Sequence, residues 1–160
     1  MKKAFLIVGL LLLVLIGFAA WFYQNIQRDF YAGHDDAIEV ALSSSSLMRA
    51  DHVEYYAGDE PVRIVFGVNE QHEKLIVWVG PEAVHEEKAA DGADREQIRS
   101  LVAERHGEVE WIRLIPGIYK GAYVWEAFFT IAEQGGERYC YDYYLFRDGA
   151  HVDTLWLNAK

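Results

Sequence analysis

The chain has 160 residues, with 25 Asp and Glu against 15 Lys and Arg and a formal net charge of −10. That balance repels nucleic acid and anionic lipid head groups, and 52% hydrophobic and 14% aromatic residues argue against a disordered chain. A lone cysteine, Cys140, rules out an internal disulfide and with it a disulfide-built secreted scaffold.

Residues 1–3 read as a short cytoplasmic tail. Ala4 to Ile26 then carries no formal charge. As a helix that run would reach about 34 Å, against a hydrocarbon core of about 30 Å. A single transmembrane helix is expected over Ala4–Tyr23, with Trp21-Phe22-Tyr23 as its interfacial aromatic belt. A cleaved signal peptide competes with this reading. Its apolar region is usually about 7–15 residues, shorter than this one, and Gly17-Phe18-Ala19 is a weak cleavage site. Lys2 and Lys3 precede the run, and only Arg28 is positive in the fifteen residues after it. The N-terminus is therefore expected inside the cytoplasmic membrane and the rest outside. Residues 24–33 form a neck or extend the helix.

Past the neck, Ala37, Ile38, Ala41 and Leu42 lie on one face of a helix from His34 to about Leu42. Ser43–Ser46 reads as its fraying end. Strands are expected at His52–Tyr56, Val62–Val68 and Glu73–Val79, rich in β-branched residues. Asn69–His72 is a polar hairpin turn. Charged residues 82–91 read as a linker. Asp94 and Gln97 are spaced like a capping box at the head of a second helix, and His106-Gly107 closes it. Four strands follow: Val109–Ile115, ended by a turn at Pro116-Gly117; Ala122–Ala132; Arg138–Phe146, after the hairpin signal Gln134-Gly135-Gly136; and His151–Leu157, after Arg147-Asp148-Gly149. The order is helix, three strands, linker, helix, four strands, an internal repeat of roughly sixty residues. The fold class is α+β, each unit a helix covering one face of an antiparallel sheet. Each unit is small for its own core, so the two are expected to pack together.

No chemical site stands out. The six histidines show no metal-ligand spacing, no serine has a glycine-flanked turn, and no phosphate loop is present. Cys140 lies in an aromatic strand and reads as a small buried group. No catalytic residue, cofactor or metal is expected. The densest feature is the strand around Tyr139, Tyr141 and Tyr143, which face one side, with Cys140, Asp142 and Tyr144 on the other. The first three form the candidate partner surface, since tyrosines favour interfaces; ordinary sheet packing accounts for them as well.

The ordered set Gly33-His34, Val53-Glu54-Tyr55-Tyr56-Ala57-Gly58, Leu75–Val79, Asp91-Gly92, Val124-Trp125-Glu126, Tyr141-Asp142-Tyr143 and Asp148-Gly149 resembles the TseB-like (YpmB-like) cell-wall elongation regulators of Firmicutes. The resemblance covers nearly the whole chain. It implies two tandem PepSY-like, cystatin-like domains, here 34–81 and 92–160 about the 82–91 linker, outside a Gram-positive cytoplasmic membrane. It also implies a non-enzymatic role in peptidoglycan elongation, through an elongation-class penicillin-binding protein. A peptide-binding or peptidase-inhibitor module of PepSY type is the alternative, and a membrane-bound wall hydrolase a third.

Overall fold

A computed structural model describes residues 2–58, 60–133 and 136–157, with residues 2–11, 20, 23–32 and 133 described by backbone alone. The chain divides into two compact units, Met1–Asp36 and Ala37–Lys160. Helix α1 spans Lys2–Ser44, so helix continues through the expected neck. Among the described residues, no helix is long and apolar enough to cross a membrane. Within the expected span, the described side chains are those of Leu12–Ala19, Trp21 and Phe22; Ala4–Leu11, Ala20 and Tyr23 lie outside them.

The second unit holds two four-stranded antiparallel meanders. One runs β1 (Arg49–Tyr56), β2 (Val62–Val68), β3 (Lys74–Val79) and β4 (Val84–Lys88). A single 3-10 turn (Ala89–Asp91) leads to α2 (Arg95–His106). The other meander runs β5 (Glu110–Tyr119), β6 (Ala122–Glu133), β7 (Gly136–Leu145) and β8 (His151–Trp156).

Two expectations are corrected. The linker assigned to residues 82–91 holds β4, hydrogen-bonded to β3 with Trp78 opposite His85. Its charges hid it, yet an edge strand tolerates them because one side faces water. Here they are also paired: Lys88 Nζ lies 2.9 Å from Glu73 Oε1, and Glu86 Oε1 accepts from the Ser46 hydroxyl at 2.7 Å. The order is therefore helix, four strands, helix, four strands. Secondly, Pro116-Gly117 is not a turn. β5 runs through it to Tyr119, with Pro116 opposite Trp125. As an edge strand of its sheet, β5 tolerates the missing N–H. The chain reverses instead at Lys120-Gly121, whose φ values of 52° and 74° suit a tight hairpin.

Other signals hold. The Asp94 carboxylate accepts from Gln97 N at 2.7 Å, and Gly107 caps α2 with φ 80°. Asn69 Oδ1 accepts from the N–H groups of Gln71 and Glu73, stabilising the β2–β3 turn. Of the expected β6–β7 hairpin signal, Gln134 and Gly135 lie outside the described residues; Glu133 pairs with Gly136.

The first sheet is covered on both faces. On one, Val65, Leu75 and Val77 pack with Ala37 and Ala41 from the end of α1; Leu42, expected on that face, is exposed. On the other, Ile64, Ile76 and Trp78 join the core that α2 shares with the second sheet. Burial on both sides explains why β2 and β3 read as unbroken apolar runs rather than alternating ones.

Candidate functional site

The seam between the two sheets concentrates the aromatic side chains. Trp78 lies 5.1 Å from Phe146 and 5.2 Å from Tyr123, centroid to centroid, and His85 stacks on Tyr123 at 3.8 Å. Arg95, at the start of α2, closes one end. Its Nη2 donates to Glu54 Oε1 on β1 at 2.6 Å and its Nη1 donates to the Leu114 carbonyl. The guanidinium also stands over the rings of Phe66 and Trp125, an attractive arrangement for a cation. The ring of Tyr56 lies on Gly117, which has no β-carbon to obstruct it. A cleft of about 440 Å³ beside this lock is lined by Asp51, His52, Lys74 and Glu96 among others, a set of mixed charge.

On its α2 side, the second sheet holds a buried polar knot. Asp142 is fully buried. His106 Nε2–H and the Tyr144 hydroxyl each donate to its Oδ2 at 2.8 Å, and the Thr154 hydroxyl donates to Oδ1 at 2.6 Å. The Cys140 thiol lies 3.7 Å from Oδ1. Such a carboxylate is tolerated in the interior because its lone pairs are taken. His106, Cys140 and Asp142 converge closely enough to contact one cation. The three groups are instead engaged with one another. Burial, and then the neighbouring Asp142 charge, push the Cys140 thiol up to about 12, so at neutral pH it is protonated and no nucleophile. Every donor around Asp142 is already directed at it. Strand alternation puts Cys140, Asp142 and Tyr144 on one side, as the sequence suggests. The arrival of His106 from the far end of α2 has no local signal.

The opposite face of β7 carries the expected partner surface. Tyr139 is 43% exposed, Tyr141 half-buried, and Tyr143 buried. Tyr141 stacks on Phe128 at 4.1 Å and Tyr143 on Tyr119 at 3.8 Å, both nearly parallel. Stacked in this way, the rings turn their faces to each other and not to a ligand. Tyr143 also lies 3.3 Å from Glu126 Oε2, while Arg113 Nη2 holds Glu126 Oε1 at 2.6 Å. The structure therefore separates the three tyrosines: Tyr143 is internal, and Tyr139 belongs to an open apolar face with Leu155, which is 41% exposed and opposite Tyr141.

The architecture is α+β, two four-stranded antiparallel meanders with the end of α1 against the first and α2 in the core that both share. Residues 36–80 match the family described as cell wall elongation regulator TseB-like domain. In fold the chain is similar to the YpmB protein from Bacillus subtilis, with a TM-score of 0.70 and 20% identity over 78% of this chain and 98% of that one. Residues 36–80 thus carry the likeness to the TseB-like domain, and the likeness to YpmB is one of fold. No curated protein matches it.

Proposed function

We propose that this protein is a single-pass membrane protein whose two PepSY-like lobes lie outside the cytoplasmic membrane and regulate cell-wall elongation without catalysis. It does so by binding an elongation-class penicillin-binding protein. The observation that carries this reading is the match of residues 36–80 to the cell wall elongation regulator domain. The charge-free N-terminal run supports the anchor: from Leu12 to Phe22 its described large apolar side chains are each more than half exposed, as lipid-facing groups are. The face around Tyr139 and Leu155 is the partner surface, since exposed apolar patches rimmed by polar groups suit protein contacts.

Photo-crosslinkers placed at Tyr139 and Leu155 of the full chain, in its own host, test the reading. Recovery of a penicillin-binding protein from membranes is expected. Repeated recovery of none, or mature protein in the medium trimmed near Ala19, overturns it.

A further inference from the structure

Each sheet turns one face to the common core. The other face of the first sheet packs on the end of α1, where Ala37 and Ala41 lie with Val65, Leu75 and Val77. The corresponding face of the second sheet carries no helix among the described residues. At one end it is closed by its own side chains, for Tyr119, Val124 and Tyr143 pack together and are buried. At the other end it is open. Tyr139, Leu155 and Leu157 are exposed there, beside the flat stack of Phe128 and Tyr141. Strand register sets the charge around this open end. Thr130 lies between Glu110 and Tyr139, and Ala132 lies opposite Glu137, so two exposed glutamates stand on the same face next to Tyr139. The cations Arg113 and Lys120 are already taken by Glu126 and Asp153. The margin is therefore negative.

We infer that this open end holds an amphipathic helix of a protein partner, apolar toward Tyr139 and Leu155 and carrying lysine or arginine at its margin toward Glu110 and Glu137. The inference rests on the reading of the Tyr139 face as the partner surface. A helix is the element that the first half of the molecule already lays on the corresponding face. Its apolar stripe would match a broad surface of flat rings and leucines, and its cations would meet the two free carboxylates. An acidic margin would be repelled by them. A second copy of this chain, of net charge −10, would bring its own Glu110 and Glu137 to the same place, so self-association does not fit.

The test uses the full chain in its own host, with a photo-crosslinker placed singly at Tyr139, Leu155 and Leu157, and each attachment point on the captured protein mapped to its residue. Attachment points about three or four residues apart along one segment are expected, as on one helix face, with lysine or arginine within a turn of them. Glu110→Lys with Glu137→Lys, both at exposed positions, should lower capture from Leu155 about tenfold through lost pairing and new repulsion. Glu70→Lys with Glu82→Lys, an equal change of charge on exposed residues of the first half, should leave capture unchanged. Attachment points two residues apart, an acidic segment, a second copy of this chain, no capture, or equal effects of the two charge reversals would each overturn the inference. A basic-edged helix on a protein outside wall synthesis defeats only the penicillin-binding-protein reading. An extended or acidic segment of a penicillin-binding protein defeats only this one.

Discussion

Arg95 of α2 and Glu54 of β1 are joined by a 2.6 Å ion pair that crosses the seam, and the other oxygen of Glu54 has no hydrogen-bond partner among the described residues. The pair is half-buried and flanked by Phe66 and Trp125. Replacing Arg95 with Met keeps the stem but leaves Glu54 without its cation. A loss of about 2 kcal/mol is expected, from the charged hydrogen bond and the cation–π contacts together. Denaturant unfolding of Arg95→Met beside Arg95→Met/Glu54→Gln checks this: the double variant should recover part of the loss, because it removes the stranded charge.

Asp142 should be far less tolerant. Asp142→Ala leaves the Tyr144 and Thr154 hydroxyls and His106 without their acceptor, and about 3 kcal/mol or more should be lost. Asp142→Asn should also destabilise, because its amide places an N–H donor against hydroxyl donors. A thermal shift that leaves Asp142→Asn at the wild-type midpoint would contradict the arrangement.

Cys140 gives a prediction about pH. Its folded thiol is raised from an ordinary 9.0 to about 12, chiefly by burial. The folded state therefore holds the proton more tightly than the unfolded chain. That contribution is fully present below about pH 9 and is lost as pH rises from 9 toward 12. Tyr143 and Tyr144 shift upward for the same reason, burial first. Unfolding midpoints should fall steadily above pH 9, and Cys140→Ala should flatten part of that fall. At pH 8 the native thiol should resist iodoacetamide and react only on unfolding.

Glu126 is almost fully buried while its partner Arg113 is partly exposed. Arg113→Ala should therefore cost more than its exposure suggests, about 3 kcal/mol, because a buried carboxylate loses its cation. Adding Glu126→Gln should return stability. A double-mutant cycle in urea measures the coupling, and strict additivity would contradict the pairing.

Much of the architecture is legible from the sequence because its signals are local. The α2 boundaries follow from Asp94, Gln97 and Gly107, and β2 from its β-branched run. What escapes depends on neighbours distant in sequence. β4 looks like a linker because His85, Glu86 and Glu87 are polar, and what holds it comes from elsewhere in the chain: β3 along its edge, Ser46 for Glu86 and Tyr123 of β6 for His85. Pro116 looks like a turn because its place at a sheet edge is set by strand order. The alternation of β7 correctly divides its side chains between two faces. It does not reveal that Tyr119 covers Tyr143 while Tyr139 stays open, or that the Trp78 indole N–H finds no acceptor among the described residues.

The double covering of the first sheet bears on how such a protein can be inherited. Val62, Ile64, Ile76 and Trp78 find their packing in the other half of the molecule. A gene fragment that moved the first half alone to a new host protein would carry a bare greasy sheet into water. The halves are thus bound to travel as a pair, and a change at one side of their common boundary selects for an answering change at the other.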